Sequence, residues 1–190
     1  MKMKKLAIFA SGTGTNAVNI IKHFENSDQI KTAFILSNRD SAPIVEKARN
    51  LGVAIEIVNN NDVANGDKLI ELCQKYEIDY IILAGFLRKI PTKLIDKYPQ
   101  QIINIHPSLL PKYGGPGMYG AYVHKAVLAN KEKESGITIH FVNADFDKGE
   151  IIDQFRCAIS EDETLESLQM KIHNLEQVNF PKVIEKIITK

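Results

Sequence analysis

Apolar residues along this chain follow two rhythms. Short unbroken apolar runs, Leu6–Ala10, Thr32–Ser37, Val53–Val58, Tyr80–Ala84 and Ile102–Ile105, read as strands. Between them lie stretches with helical spacing: Asn16–Phe24, Ile44–Leu51 ended by Gly52, Asp67–Tyr76 with Leu69, Leu72 and Cys73 on one face, and Thr92–Tyr98 behind Pro91. Strands without polar alternation are buried on both faces, so this order predicts an α/β fold with a parallel sheet covered on both sides by helices. The rhythm changes after His106. Ser108–Tyr119 is a loop holding Pro111, Gly114, Gly115, Pro116 and Gly117, with Gly120 just beyond it. A helix is expected over Tyr122–Asn130. Gly136–Val142 alternates Ile137, Ile139 and Phe141 against Thr138, His140 and Val142, and with the strand Glu150–Ile159 it predicts an antiparallel sheet edge. A long amphipathic helix, Leu165–Ile188, closes the chain. Ser160 and Glu163 have capping-box spacing before it, and Pro181 is expected to kink or split it. No repeat, Ser/Gly linker or shift in composition divides the chain, so residues 1–190 are expected to form one domain.

Composition narrows the class. Of 190 residues, 44% are hydrophobic and 25% charged, which excludes a disordered chain. Lys and Arg number 24 against 23 Asp and Glu, so no bulk field draws in nucleic acid or an anionic membrane. Cys73 and Cys157 form no CxxC pair, which leaves neither a disulfide framework nor metal-ligand spacing; both read as small core residues. The lysine-rich start is followed by only Leu6–Ala10, short of the roughly 7–15 apolar residues of a signal sequence. No run reaches the roughly 18 apolar residues needed to span a bilayer. A cytoplasmic protein acting on small molecules, without metal, nucleic acid or membrane, is the expectation.

Four constellations bear chemistry. Ser11-Gly12-Thr13-Gly14-Thr15-Asn16 follows the first strand and opens a helix, where glycines admit an anion to free N–H groups and the positive end of the helix dipole. A phosphate is the natural ligand. Gly12-x-Gly14-x-x-Ala17 also fits a dinucleotide fingerprint, which wants an acidic residue about 20 positions on. The chain offers Ser37-Asn38-Arg39-Asp40 there: Asn38 is not acidic, Asp40 lies past the strand, and Arg39 would suit a 2′-phosphate. An NADP-dependent reductase and a non-catalytic nucleotide-binding module therefore stand as alternatives. Asn104 and His106 share a face at the end of a parallel strand, with Pro107 holding His106 extended. A histidine moves protons near neutral pH, and an Asn amide donates to an oxyanion. In Asp145-Phe-Asp147-Lys-Gly-Glu150 the calcium-loop pattern fails; one of the two aspartates is expected to orient His106 and favour its charged form. Leu83–Ile90 sets an apolar wall and two cations, Arg88 and Lys89, beside the same strand end, suiting an aromatic ligand with carboxylates. His140 on its strand's polar face would reach that pocket. His23, His124 and His173 read as surface residues, and Glu176 carries no signal of its own.

Taken together these motifs resemble a known superfamily. Asn104 followed by Ile105-His-Pro-Ser-Leu-Leu-Pro111 is similar to the signature of the folate-dependent formyltransferases, and Ser11–Asn16, Leu83–Arg88, Ile139-His-Phe-Val142 and Asp147-x-Gly149 match in register from the first strand to the last helix. The resemblance implies a doubly wound sheet. It implies 10-formyltetrahydrofolate as co-substrate, docked on Leu87, Arg88, Lys89, Ile90, Asn104 and Val142, and glycinamide ribonucleotide as acceptor. The acceptor's phosphate would lie on Gly12, Thr13, Gly14, Thr15 and Asn16, with Glu176 against its ribose. Asn104, His106 and Asp147 would be catalytic; the family spacing selects Asp147 over Asp145. Superfamily members that formylate methionyl-tRNA, or that hydrolyse the formyl group, carry an additional domain, and the length and near-neutral charge of this chain point away from both.

Overall fold

The computed structural model describes residues 2–189; Met1 and Lys190, the ends of the expected domain, lie outside them. β1 (Lys4–Phe9) shows why its apolar run is unbroken. Leu6 and Ile8 enter one core layer, Ala7 and Phe9 another on the opposite face, and all four are fully buried. Side chains alternate across a strand, so a strand covered on both faces must be apolar throughout. Each large side chain sealed in this way contributes about 1.5–3 kcal/mol. β2 (Ile30–Ser37), β3 (Ala54–Ile57), β4 (Tyr80–Leu83) and β5 (Ile102–His106) run parallel with β1. β6 (Glu134–Phe141) and β7 (Ile151–Ala158) are antiparallel, completing a seven-stranded sheet in the order β3-β2-β1-β4-β5-β6-β7. α1 (Thr15–His23), α2 (Pro43–Asn50), α6 (Ala121–Ala129) and α7 (Leu165–Ile188) cover one face. α3 (Asn60–Asn65), α4 (Asp67–Lys75) and α5 (Thr92–Lys97) cover the other. The mostly parallel, doubly wound α/β sheet with antiparallel outer strands and a long last helix is as expected.

Several local expectations are corrected. The run Val53–Val58 shortens to β3, which is the outermost strand, and Ile57 is 44% exposed, because only one side of β3 has a neighbour. The alternating segment is not an edge: β6 lies between β5 and β7 and buries every residue from Ser135 to His140. Thr138 within it is satisfied internally, its Oγ1 donating to the Ser108 carbonyl at 2.7 Å; the edge on this side of the sheet is β7. Sequence reading missed α3, whose signal is the cap Asn59, accepting from the Asp62 N–H, and whose only buried residue is Val63. A helix this short has too few apolar positions to show a period. Thr164, not Ser160, caps α7, although the Ser160 N–H still donates to Glu163 at 3.2 Å. Pro181 does not split α7, which runs through it as one helix. The carbonyl four residues before it, on Gln177, loses its helical donor, and Asn19 Nδ2 replaces that donor at 2.7 Å.

Candidate active site

The C-terminal ends of β1, β4 and β5 open into one cavity of about 710 Å³, the position at which open α/β sheets bind ligands. Every predicted site residue lines it: Gly12–Asn16, Leu87–Ile90, Asn104, His106, His140, Val142, Asp147 and Glu176.

At one end the Gly12–Asn16 turn leads into α1. Gly14 has φ 69°, and a Cβ there would lie 2.3 Å from Ile44 Cδ1, so only glycine lets α2 pack this close. The first turn of α1 holds no acidic residue, which leaves the positive end of its dipole uncompensated. Lys47 Nζ donates to the Thr13 carbonyl at 2.7 Å and sets a cation beside the turn. Asn16 turns its side chain to α7: Nδ2 donates to Glu176 at 2.9 Å, and Oδ1 accepts from Gln177 at 2.6 Å. Burial pushes the Glu176 carboxyl above its usual range, only partly opposed by Asn16 and His173. Ser11 Oγ donates to Asn38 at 2.6 Å and accepts the Leu87 N–H at 3.0 Å. This occupies Asn38, the position where a dinucleotide fingerprint would hold a ribose, and neither Asn38 nor Arg39 lines the cavity.

At the other end the working groups are side chains in contact. His106 is 4% exposed. Its Nε2 lies 2.8 Å from the Tyr113 carbonyl, which can only accept, so Nε2 carries a proton. Nδ1 faces Asp147 Oδ2 at 3.6 Å, an ion-pair distance rather than a hydrogen bond. The same Asp147 oxygen accepts the Gly115 N–H at 2.8 Å. The segment after His106 therefore brackets both residues, one through a carbonyl and one through an N–H. Tyr113 (φ 55°) and Asp147 (φ 54°) both hold left-handed backbone that non-glycine residues seldom adopt. The Tyr113 hydroxyl donates to Glu132 at 2.9 Å and accepts from Asn130 at 2.9 Å, which anchors the bracket outside the cavity. His140 Nδ1 donates to the Phe141 carbonyl at 2.8 Å, so its Nε2 must accept, and Asn104 Nδ2 supplies the hydrogen at 3.0 Å. Burial lowers the proton affinity of His140 below the ordinary imidazole range. One amide hydrogen of Asn104 is thus committed and its orientation fixed. The Val142–Asp147 loop returns to β7 through Gly149, where a Cβ would lie 1.7 Å from the Phe141 carbonyl oxygen. Across the cavity mouth, Lys89 Nζ stands 5.5 Å from the centre of the Phe146 ring, linking the two loops expected to hold folate.

Sequence reading missed the Tyr113 carbonyl, the Gly115 N–H and His124. His124 was expected at the surface but is buried at 5% exposure and lines the cavity. Its helix buries Val123, His124 and Val127 together, and the i,i+4 valine pair was the available signal. His23 and His173 are solvent-accessible as expected, His173 at the rim beside Glu176. Among the described residues no group of His, Cys, Asp and Glu is arranged to hold a metal, and no helix is long and apolar enough to cross a membrane.

Comparison with known proteins agrees with this geometry. The formyl transferase family is matched over residues 4–184. A protein of Arabidopsis thaliana named phosphoribosylglycinamide formyltransferase, chloroplastic, is 34% identical over 189 residues, covering 96% of this chain and 65% of the relative. The phosphoribosylglycinamide formyltransferase of Bacillus subtilis (strain 168) is 35% identical over 191 residues, covering 98% of this chain and 95% of the relative. The crystal structure of glycinamide ribonucleotide transformylase 1 from Geobacillus kaustophilus has a TM-score of 0.90 at 31% identity, covering 98% of this chain and all (100%) of that one. The seven-stranded sheet, the Asn104–His106 strand end and these matches along nearly the whole sequence lead to one assignment: the chain belongs to the formyl transferase family.

Proposed function

We propose that residues 1–190 act as one catalytic domain that transfers the formyl group of 10-formyltetrahydrofolate to the amine of glycinamide ribonucleotide, a step of purine biosynthesis. The observation that carries this reading is the convergence of Asn104, His106 and Asp147 at one end of a cavity whose other end is the Gly12–Asn16 turn. The names of the relatives supply the acceptor; the cavity supplies a place for each part of it. The ribonucleotide phosphate lies on the backbone of Gly12–Thr15, and Glu176 meets the ribose. The folate ring system lies between Leu87–Ile90 and Val142, with Arg88 and Lys89 toward its carboxylates.

The chemistry follows from the fixed groups. The neutral amine attacks the formyl carbon, a C–N bond forms, and the carbonyl electrons move to oxygen. The amide hydrogen of Asn104 not held by His140 meets that oxyanion, a contact worth about 3–4 kcal/mol in comparable sites. The Nε2 hydrogen of His106 is spent on Tyr113, so Nδ1 takes up the amine's proton, and Asp147 stabilises the imidazolium. His106 returns the proton to N10 of the folate, the C–N10 bond breaks, and tetrahydrofolate leaves. The reaction needs no metal ion; orientation supplies much of the rest.

The test mixes purified protein with 10-formyltetrahydrofolate, with and without glycinamide ribonucleotide, and follows loss of the formyl group optically. Turnover dependent on the ribonucleotide is expected. Equal turnover without it would make the chain a hydrolase, and no turnover in either mixture would contradict the reading.

A further inference from the structure

His124 has no task in the reaction above, yet it stands in the wall of the reaction cavity. α6 buries it together with Val123 and Val127, and α6 packs against α7, the helix that also brings Glu176 to the cavity. Its Nδ1 is sealed from solvent and has no hydrogen-bond partner. No hydrogen bond joins either ring nitrogen to another group among the described residues. Buried polar groups are nearly always paired, so an unpaired ring in a cavity wall calls for a ligand. With Nδ1 closed off, Nε2 is the nitrogen left to meet one. Burial pushes the proton affinity of His124 below the ordinary imidazole range, so at pH 7 the ring is neutral, with one hydrogen and one lone pair to offer. His124 and His106 line the same cavity.

We propose that His124 is an acceptor-binding residue: Nε2 hydrogen-bonds the glycinamide group of the ribonucleotide and seats its amine beside His106. The inference rests on the functional reading above but adds a residue to it, and it gives a partner to the one ring nitrogen that is not sealed off. A core histidine kept only for shape would not discriminate between the two substrates; an acceptor-binding one must.

The test is calorimetric titration with glycinamide ribonucleotide alone, together with steady-state kinetics. Failure of the wild-type protein to bind the ribonucleotide would overturn the functional reading itself. With binding established, His124→Phe keeps the ring volume and removes both nitrogens. His124→Gln places an amide near the Nε2 position. His124→Phe is expected to weaken ribonucleotide binding tenfold or more and raise the acceptor KM in step, with the folate KM unchanged. His124→Gln is expected to recover most of that loss, with both variants melting near the wild type. Ribonucleotide binding by His124→Phe within twofold of wild type, or a parallel rise in the folate KM, would overturn the proposal.

Discussion

The two ends of the cavity are built from different materials. At the Gly12–Asn16 end the groups presented to a ligand are backbone N–H groups, held because α2 packs onto a glycine at left-handed φ. At the β5 end they are buried side chains that fix one another: His140 sets the amide of Asn104, Tyr113 sets the proton of His106, and Gly115 sets Asp147. A backbone site tolerates changes in side chains but not in packing. A side-chain network tolerates neither the loss of a member nor the loss of what holds it. The first end suits binding, where uniform affinity is enough; the second suits catalysis, where misplacement by an ångström is costly.

This contrast yields tests in descending size. Asn104→Ala is expected to lower kcat by about 10²–10³ through loss of the oxyanion donor, with ribonucleotide affinity nearly unchanged; stopped-flow transfer and calorimetry separate the two. Gly14→Ala should do the reverse. Its Cβ meets Ile44 and its φ is unfavourable, so stability should fall by about 2–4 kcal/mol in chemical denaturation, and acceptor affinity should fall with it. Equal damage to both constants by both variants would erase the distinction between the ends. Tyr113→Phe removes only the outer anchor of the bracket. A five- to tenfold fall in kcat is expected, about one hydrogen bond's worth, with acceptor Kd unchanged; an unaltered kcat would show that the bracket holds without its anchor.

Stability should also depend on pH with opposite sign for the buried histidines and for Glu176. His140 and His124 bind protons less readily folded than unfolded, so the unfolded chain takes up more protons as pH falls below about 6.5, and stability is lost on acidification. His140→Gln should flatten that acid limb in melts taken from pH 7 to 5. Glu176 is shifted upward by burial, so its ionised form costs stability at neutral pH and the cost vanishes below the usual carboxylate range. Glu176→Gln should therefore melt higher than wild type near pH 8, and the advantage should disappear near pH 4.

What the sequence discloses follows the same division. Unbroken runs such as Leu6–Phe9 report strands covered on two faces, and the glycine spacing after them reports an anion turn, because both are local consequences of backbone geometry. Asn104 and His106 are legible for the same reason, two residues apart on one strand. Their partners are not. The Tyr113 carbonyl and the Gly115 N–H have no residue signature, since any amino acid supplies them. His140 meets Asn104 only through the β5–β6 register, which pairs the two positions directly. His124 is legible only indirectly, through the i,i+4 pair Val123 and Val127 that marks its helix face as buried. Asp147 could be told from Asp145 only by family spacing; in the structure Asp147 faces His106 at 3.6 Å, and Asp145 accepts no part in that network.

The central claim is that proton transfer belongs to His106 while the acceptor's phosphate and ribose are held at the opposite end. The most direct test is His106→Ala, followed in parallel by calorimetric titration with glycinamide ribonucleotide and by single-turnover formyl transfer. The account predicts ribonucleotide affinity within about threefold of wild type and transfer slowed by roughly 10²–10⁴. Transfer at near wild-type rate, or loss of ribonucleotide binding along with transfer, would contradict it.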